Sequence, residues 1–232
     1  RDFIEIVYTG KVKEDGIIFD TTDENVAKEN NLHGHDFSPA VICIGEKQIL
    51  EGLDKNLEGK EIGKEYEFDI KPEDAFGKKN AKLIQLIPTS KFRQQSIQPM
   101  PGMQLNIDGM VGTIKTVSGG RTLVDFNHPL AGKELSYKVR INKKITDGKE
   151  KLNGYVKLTL GTKDFEADID SGSAKITLKD KIPKEAEKKL IEKIAELMPE
   201  IKTTEFHQFM IGGMSSARKP SIIGGIPSIK NH

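Results

Sequence analysis

The stretch from Val41 to Gly59, VICIGEKQILEGLDKNLEG, constrains the fold of this chain more than any other. Its apolar beginning predicts a buried strand, and Gly45 predicts a turn. Leu50, Leu53 and Leu57 then follow at the spacing of an amphipathic helix. A strand that breaks at a glycine and continues as a short helix suits a helix lying across a curved sheet. Such packing leaves an apolar floor at the N-terminus of the helix.

Composition narrows the class of protein. A length of 232 residues with 36% hydrophobic content predicts two or three small domains. The 36 basic and 35 acidic residues give a net charge of +1, which argues against nucleic acid or an anionic membrane as a partner. A single cysteine, Cys43, excludes an internal disulfide and indicates a reducing compartment. We find no apolar run of membrane-spanning length and no signal peptide, so we expect a cytoplasmic protein.

The segments around this stretch predict a small α+β domain. Phe3 to Tyr8 alternates as a half-buried strand, with Ile4, Ile6 and Tyr8 on one face. The turn at Glu14-Asp15-Gly16 leads into a partner strand that ends at Phe19. The remaining predicted elements are a helix at Glu24–Lys28 capped from the segment Asp20–Asp23, a strand carrying Tyr66, Phe68 and Ile70, and a closing strand carrying Leu135, Tyr137, Val139 and Ile141.

Four motifs in order carry a resemblance to a known family. They are VYTGKVKEDGIIFDTT, the stretch from Val41 to Gly59, PEDAFG, and LAGKELSYKV. Together they resemble the FKBP-type peptidyl-prolyl isomerases, specifically the SlyD-like and long archaeal members. The resemblance covers roughly the first 145 residues, whereas the last third carries no motif of this family.

The resemblance implies a domain inserted in a loop. Residues 1–78 and 130–146 would form the isomerase domain, and residues 79–129 an insert-in-flap chaperone domain of small, mostly β structure. Within the insert the pattern predicts one helical turn at Ser90–Gln95. It also predicts strands at Lys82–Ile87, Met103–Ile107, Gly112–Val117 and Thr122–Phe126.

The last third predicts a second α+β module at residues 147–211, after a charged linker at Lys143–Lys151. Alternating apolar residues predict three strands, near Val156–Leu160, Phe165–Ile169 and Ala174–Leu178. A helix at Lys184–Met198 and a further strand at Thr203–Met210 complete it. So small a unit would leave an edge strand or a sheet face uncovered, which predicts a homodimer or a partner. Residues 212–232, rich in Gly, Ser and Pro, predict a tail.

The resemblance also implies the isomerase site. Its lining would be Tyr8, Phe19, Asp20, Ile42, Ile49, Leu50, Leu53, Phe76 and Tyr137. Phe19, Phe76 and Tyr137 would form the walls, and the Leu50 amide would donate to the substrate carbonyl. Asp20, held by the Tyr8 hydroxyl, would provide a local field. Leu53, Phe76 and Ala40 replace residues common in relatives, which argues against tight macrolide binding more than against isomerase activity.

No cofactor or metal is predicted. His33 and His35 would offer two imidazoles, but no third ligand follows at metal spacing. The chain also lacks a phosphate loop, a dinucleotide fingerprint, and the HExxH and GxSxG motifs.

The insert suggests a second activity because it is rich in apolar residues and holds several methionines. Some of these side chains must form its core. The others would hold unfolded or nascent chains with Xaa-Pro bonds, and our candidates are Leu86, Phe92, Ile97, Met100 and Met103. Two function classes therefore stay open. One is a prolyl isomerase with a holdase insert, and the other is a holdase or assembly adaptor that binds without turnover.

Overall fold

The structure, a computed structural model, describes residues 1–33 and 37–209. The strands are β1 Phe3–Val12, β2 Ile18–Thr21, β3 Ala40–Cys43, β4 Glu65–Ile70, β5 Ile84–Pro88, β6 Gln104–Ile107, β7 Met110–Ser118, β8 Arg121–Asp125, β9 Leu135–Lys144, β10 Phe165–Asp170, β11 Ser173–Leu178 and β12 Thr203–Gln208. The helices are α1 Glu24–Glu29, α2 Glu51–Leu57, α3 Thr89–Gln94, α4 Gly148–Leu160 and α5 Lys184–Leu197. This mixture of helices and mainly antiparallel sheets is the expected α+β class. The chain forms two compact units, one of residues 1–75 and 133–209 and one of Phe76–Gly132.

The first unit is built on a five-stranded antiparallel sheet. The strand order is β2-β1-β9-β4, and β3 pairs with the first half of β1. Helix α2 packs against β4 with Leu53 and Leu57 buried. Gly52 permits this approach, since a Cβ there would lie 2.6 Å from the Cγ2 of Ile70. The predicted helix across a curved sheet is therefore present.

The second unit is a four-stranded antiparallel sheet in the order β5-β8-β7-β6, with α3 against it. Its chain ends lie side by side, because the Gly132 amide donates to the Gly77 carbonyl at 2.8 Å. The unit starts and ends a few residues outside the boundaries expected from the sequence. The segment predicted to begin β5 instead forms a 3-10 turn at Ala81–Leu83, capped by the Asn80 side chain.

One predicted strand of the C-terminal module is wrong. The alternation of Val156, Leu158 and Leu160 predicted a strand, but these residues end helix α4. The Asp147 carboxylate caps that helix by accepting from the Glu150 amide at 2.7 Å, and Gly161 ends it with a left-handed φ of 61°. The buried residues Leu152, Tyr155 and Val156 have helical spacing, which outweighs the shorter alternating pattern.

The charged linker expected at 143–151 is also absent, because β9 continues to Lys144 and α4 begins at Gly148. Strand β11 lies between β10, which is antiparallel to it, and β12, which is parallel. The module does not have a core of its own. Phe3, Val41 and Cys43 of the first sheet pack together with apolar residues of α4, α5 and the three strands.

Some expectations lie outside the described residues, namely the His35 half of the histidine pair, the end of the last strand at Met210, and the tail 212–232. Among residues 1–33 and 37–209, no helix is long and apolar enough to cross a membrane. The same residues contain no cluster of three or more side chains suited to a metal ion.

Candidate active site

An aromatic cluster forms where β1, β2 and β9 meet. The ring of Phe19 meets the ring of Tyr137 edge-on, with centroids 5.9 Å apart at 83°. The ring of Tyr8 is tilted relative to the ring of Tyr137, with centroids 5.8 Å apart at 55°. The register explains this meeting, because Tyr137 pairs with Gly10 on β1, and Gly10 pairs with Asp20 on β2. Edge-to-face aromatic pairs of this kind are attractive by about 0.5–1.5 kcal/mol beyond area burial.

Gly10 makes the cluster possible. A Cβ at this position would lie 2.8 Å from the Tyr137 ring and 3.1 Å from the Cζ atom of Phe19. The first distance is shorter than contacts of a Cβ atom allow and the second is tight, so a larger residue would require the Tyr137 ring to shift. The β1 strand also shifts its register between Gly10 and Lys11, which bends the edge of the sheet beside the rings.

Asp20 places a carboxylate among these rings. The Tyr8 hydroxyl forms a hydrogen bond with the Asp20 side chain. Burial, followed by the charge and the hydrogen bond of Asp20, raises the pKa of Tyr8. Burial and the charges of Asp20 and Tyr8 likewise raise the pKa of Tyr137. Both phenols therefore stay protonated at neutral pH, and Tyr8 acts as the donor to Asp20.

The floor residues differ in exposure. Ile42 and Leu53 are each only 1% exposed, so their side chains support the floor from below and offer little surface to a ligand. Ile49 and Leu50 are half-buried. Leu50 is the residue that precedes α2, and its carbonyl accepts from the amides of residues 53 and 54. Among the described residues, no acceptor is found for the Leu50 amide, so this donor remains available to a ligand.

The loop between β3 and α2 is held by a buried carboxylate. Asp54 is 3% exposed and accepts from the amides of Gly45 and Lys47, each at 2.9 Å. Lys47 has a φ of 53°, a left-handed conformation that is uncommon for a non-glycine residue. Asp54 stabilises this strained turn in the first part of the loop that leads to Ile49 and Leu50.

Phe76 belongs to the second compact unit. Its ring stacks on His128, with centroids 4.3 Å apart and planes 2° from parallel. The role of Phe76 as a wall of the isomerase site stays a prediction. His128 was not among the residues expected at the site.

The insert residues expected to bind clients separate into two groups. Phe92 is 0% exposed and lies at the centre of the insert core, so its predicted contact with clients is wrong. Ile97 and Met103 are partly buried against the same core. Leu86 and Met100 are 53% and 57% exposed. Val111, which was not a candidate, is 57% exposed.

Sequence reasoning missed two residues that shape the site, Gly10 and Asp54. Gly10 stands in the quoted motif VYTGKV, but only the packed rings explain why it must be glycine. Asp54 lies three residues before Leu57 on a helix that buries its apolar face, and a carboxylate there signals a backbone-capping role.

Comparisons with known proteins point to the same family as the four sequence motifs. A family model described as FKBP-type peptidyl-prolyl cis-trans isomerase matches residues 1–98, and a model described as FKBP26, IF domain, matches residues 85–130. A short-type peptidyl-prolyl cis-trans isomerase of Methanocaldococcus jannaschii is 33% identical over 142 residues, which are 60% of this chain and 89% of that protein.

Two bacterial relatives are similar over shorter stretches. The SlyD protein of Helicobacter pylori, an FKBP-type peptidyl-prolyl cis-trans isomerase, is 32% identical over 136 residues, 56% of this chain and 67% of that protein. The FKBP-type 16 kDa isomerase of Escherichia coli is 32% identical over 107 residues, 44% of this chain and 72% of that protein. With its motifs, its aromatic cluster and this coverage of its relatives, the chain belongs to the FKBP-type family of peptidyl-prolyl cis-trans isomerases.

Proposed function

We propose that this chain catalyses rotation about Xaa-Pro bonds in unfolded or partly folded polypeptides, and that its insert holds those polypeptides. The rotation faces a barrier of about 18–20 kcal/mol, because the planar amide is stabilised by resonance and is well solvated. A site that favours the twisted amide lowers this barrier without any nucleophile.

The observation that carries the proposal is the cluster of Tyr8, Phe19, Asp20 and Tyr137. The half-buried rings of Phe19 and Tyr8 supply an apolar surface for a proline ring, the buried ring of Tyr137 supports them, and the Asp20 carboxylate adds a fixed charge that Tyr8 orients. None of the four carries an imidazole or a thiol. The twisted amide is less polar in its carbonyl than the planar one, so removal from water favours it.

The Leu50 amide provides the second part of the mechanism. It precedes helix α2 and has no acceptor among the described residues. We propose that it donates to the carbonyl of the bound peptide and fixes one side of the rotating bond. The other side then rotates against the aromatic surface, which is the positional restraint that catalysis by shape requires.

The insert supports the holding role through its exposed apolar side chains. Leu86 pairs across the sheet with Leu123, and side chains of such pairs share one face. Ile84 lies on the same face of β5, since alternate residues of a strand point the same way. Met100, which is 57% exposed, is a further exposed apolar side chain of the insert, and a flexible methionine suits varied apolar segments. The covalent link to the isomerase unit raises the local concentration of any segment held there.

The experiment compares two substrates. Isomerisation of an Xaa-Pro tetrapeptide and refolding of a protein limited by proline isomerisation are measured for the unchanged chain and for the double variant Leu86→Ser, Met100→Ser. We expect the tetrapeptide rate to stay within about twofold, and the refolding rate to fall about tenfold because the client is held more briefly.

Gln104→Ser is the matched control, because Gln104 is an exposed polar side chain on the same sheet. Absence of tetrapeptide turnover in the unchanged chain would favour the non-catalytic holdase. Equal refolding by the double variant and the unchanged chain would contradict the holding role of this surface.

A further inference from the structure

Strand β3 belongs to two cores at once. Ile42 pairs with Ile4 and faces the interior of the isomerase sheet, where it supports the floor. Val41 and Cys43 pack instead with residues of the C-terminal module. Side chains of a strand alternate between its faces, so the strand that carries a floor residue is covered on its other face by the last third of the chain.

Helix α4 approaches this strand very closely. A Cβ at Gly154 would lie 2.5 Å from the Cβ of Val41 and 3.1 Å from its carbonyl oxygen. Only glycine allows the helix to lie so near the backbone of β3. The neighbours Tyr155 and Val156 complete the contact as members of the shared core.

Gln48 connects the loop after β3 to this helix. Its Oε1 atom accepts from the Cys43 amide at 2.9 Å, which closes the loop on itself. Its Nε2 atom lies 3.4 Å from both the Tyr155 carbonyl and the Thr159 hydroxyl of α4. The half-buried residues Ile49 and Leu50 come directly after Gln48 in the chain. The residue that contacts α4 is therefore the one just before the proposed floor.

Glu46 connects the same loop to α5. Its side chain is 6% exposed, and its Oε2 atom lies 3.1 Å from the Nζ atom of Lys193. Lys193 is also 3.0 Å from Glu196 on its own helix, and Arg1 pairs with the Oε1 atom of Glu46. A carboxylate so far removed from water requires such partners, which ties the loop to the position of α5.

We propose that the C-terminal module positions the isomerase site, with Gln48 as the positioning residue through which helix α4 sets the location of Ile49 and the Leu50 amide. This inference rests on the proposed isomerase function. Asp54 holds only the first part of the loop, at Gly45 and Lys47. The second part of the loop, which leads to Ile49 and Leu50, is restrained by the side chain of Gln48.

The test uses the full chain and separates the two ends of the Gln48 side chain. Gln48→Glu keeps an acceptor for the Cys43 amide but loses the donor to α4. Lys193→Met removes the charge that α5 offers to Glu46. We expect each variant to lower kcat on a tetrapeptide about fivefold with little change in KM, since loss of one hydrogen bond in a held geometry has this size.

Two matched controls change residues on the same helices, α4 and α5, and leave the contacts of Gln48 and Glu46 intact. Asn153→Ala removes the contact of α4 with the Ala167 carbonyl on β10. Lys188→Met removes an 80% exposed lysine of α5 that pairs with Glu192 of its own helix. Both are expected to retain kcat within about twofold even where the unfolding midpoint falls.

Amide hydrogen exchange in residues 44–50 gives a second measurement that does not depend on turnover. Faster exchange in this segment for Gln48→Glu, and not for Asn153→Ala, supports the positioning role. If amide exchange in residues 44–50 is the same in Gln48→Glu as in the unmutated chain, the positioning role is overturned. Faster exchange in Gln48→Glu with the same kcat as the unmutated chain also overturns it. If the unmutated chain shows no turnover of the tetrapeptide, the proposed isomerase function is contradicted. The exchange measurement would still decide whether the module positions the loop.

Discussion

The ring of Phe19 stands at 83° to the ring of Tyr137, with their centroids 5.9 Å apart. Phe19 is half-buried, whereas Tyr137 is 2% exposed. Phe19 is therefore the side chain that offers surface to a proline ring, and the buried Tyr137 holds Phe19 in position. Activity is expected to depend on both rings for different reasons.

Phe19→Ala is expected to reduce kcat/KM for an Xaa-Pro tetrapeptide about tenfold, a loss of about 1.4 kcal/mol of transition-state stabilisation. The physical reason is loss of the exposed wall of the site. Ile17→Ala is the control, because Ile17 is apolar, close in the chain and 61% exposed. Full activity in Phe19→Ala would favour the non-catalytic holdase.

Gly10→Ala is expected to lower both stability and turnover, because the added Cβ would lie 2.8 Å from the Tyr137 ring. Overpacking of this kind costs about 1–3 kcal/mol, measurable by denaturant unfolding. Gly148→Ala serves as the control, since its Cβ would meet Ile169 at an ordinary 3.5 Å. A Gly10→Ala protein with normal stability and turnover would show that the rings do not need this glycine.

The pH dependence of turnover and that of stability are expected to differ. Turnover should change little between about pH 6 and pH 8, where histidine titrates, because the cluster contains no imidazole. A tenfold change across this range would contradict catalysis by shape.

Stability should respond at alkaline pH instead. The folded-state pKa values of Tyr8 and Tyr137 are raised above the ordinary 10.0. Their contribution is therefore fully present below pH 10 and is lost as the pH rises further. Denaturant unfolding of Tyr8→Phe should show a smaller alkaline loss than the unchanged chain, and an equal loss in both would exclude a role for Tyr8.

Cys43→Ser should leave turnover nearly unchanged while it lowers the free energy of unfolding. Cys43 is 0% exposed, and burial raises the pKa of its thiol. A hydroxyl in its place would be buried among apolar groups at a cost of about 1–3 kcal/mol. Thermal unfolding and the tetrapeptide assay, run together, measure the two effects, and loss of turnover at full stability would indicate a chemical role for the thiol.

The homodimer predicted for the C-terminal module stays a prediction. Its three-stranded sheet ends in the edge strands β10 and β12, which are surfaces that a second copy can pair with. Light scattering on the full chain is the appropriate measurement, because the module shares its core with the isomerase sheet. A monomer at high concentration would rule out self-association.

Much of the fold was predictable because its signals are local. The alternation in β1, β4 and β9, the Asp23 cap of α1 and the helix opened at Glu51 all appear where their patterns predict them. Helix α4 was missed because the apolar positions at its end alternate, and its helical spacing emerges only when residues 152–160 are read together. Local patterns of five residues do not separate a helix end from a strand.

The candidate site was predictable as a set of residues but not as an arrangement. Family motifs pointed to Tyr8, Phe19, Asp20 and Tyr137, and the structure brings these four together. The contacts of Gln48 and Glu46 could not be predicted from the sequence, because their partners Thr159 and Lys193 lie more than a hundred residues away in the chain. Such pairings are set by tertiary packing, for which a single sequence carries no local signal.

The sharing of β3 between two cores also has a consequence for proteolysis of the chain. A protein cut after β9 would leave Phe3, Val41 and Cys43 facing water as an apolar strip on an otherwise intact sheet. Strips of this kind promote aggregation. Proteolytic loss of the last third would therefore turn an enzyme that we propose to protect unfolded chains into a protein that itself needs protection.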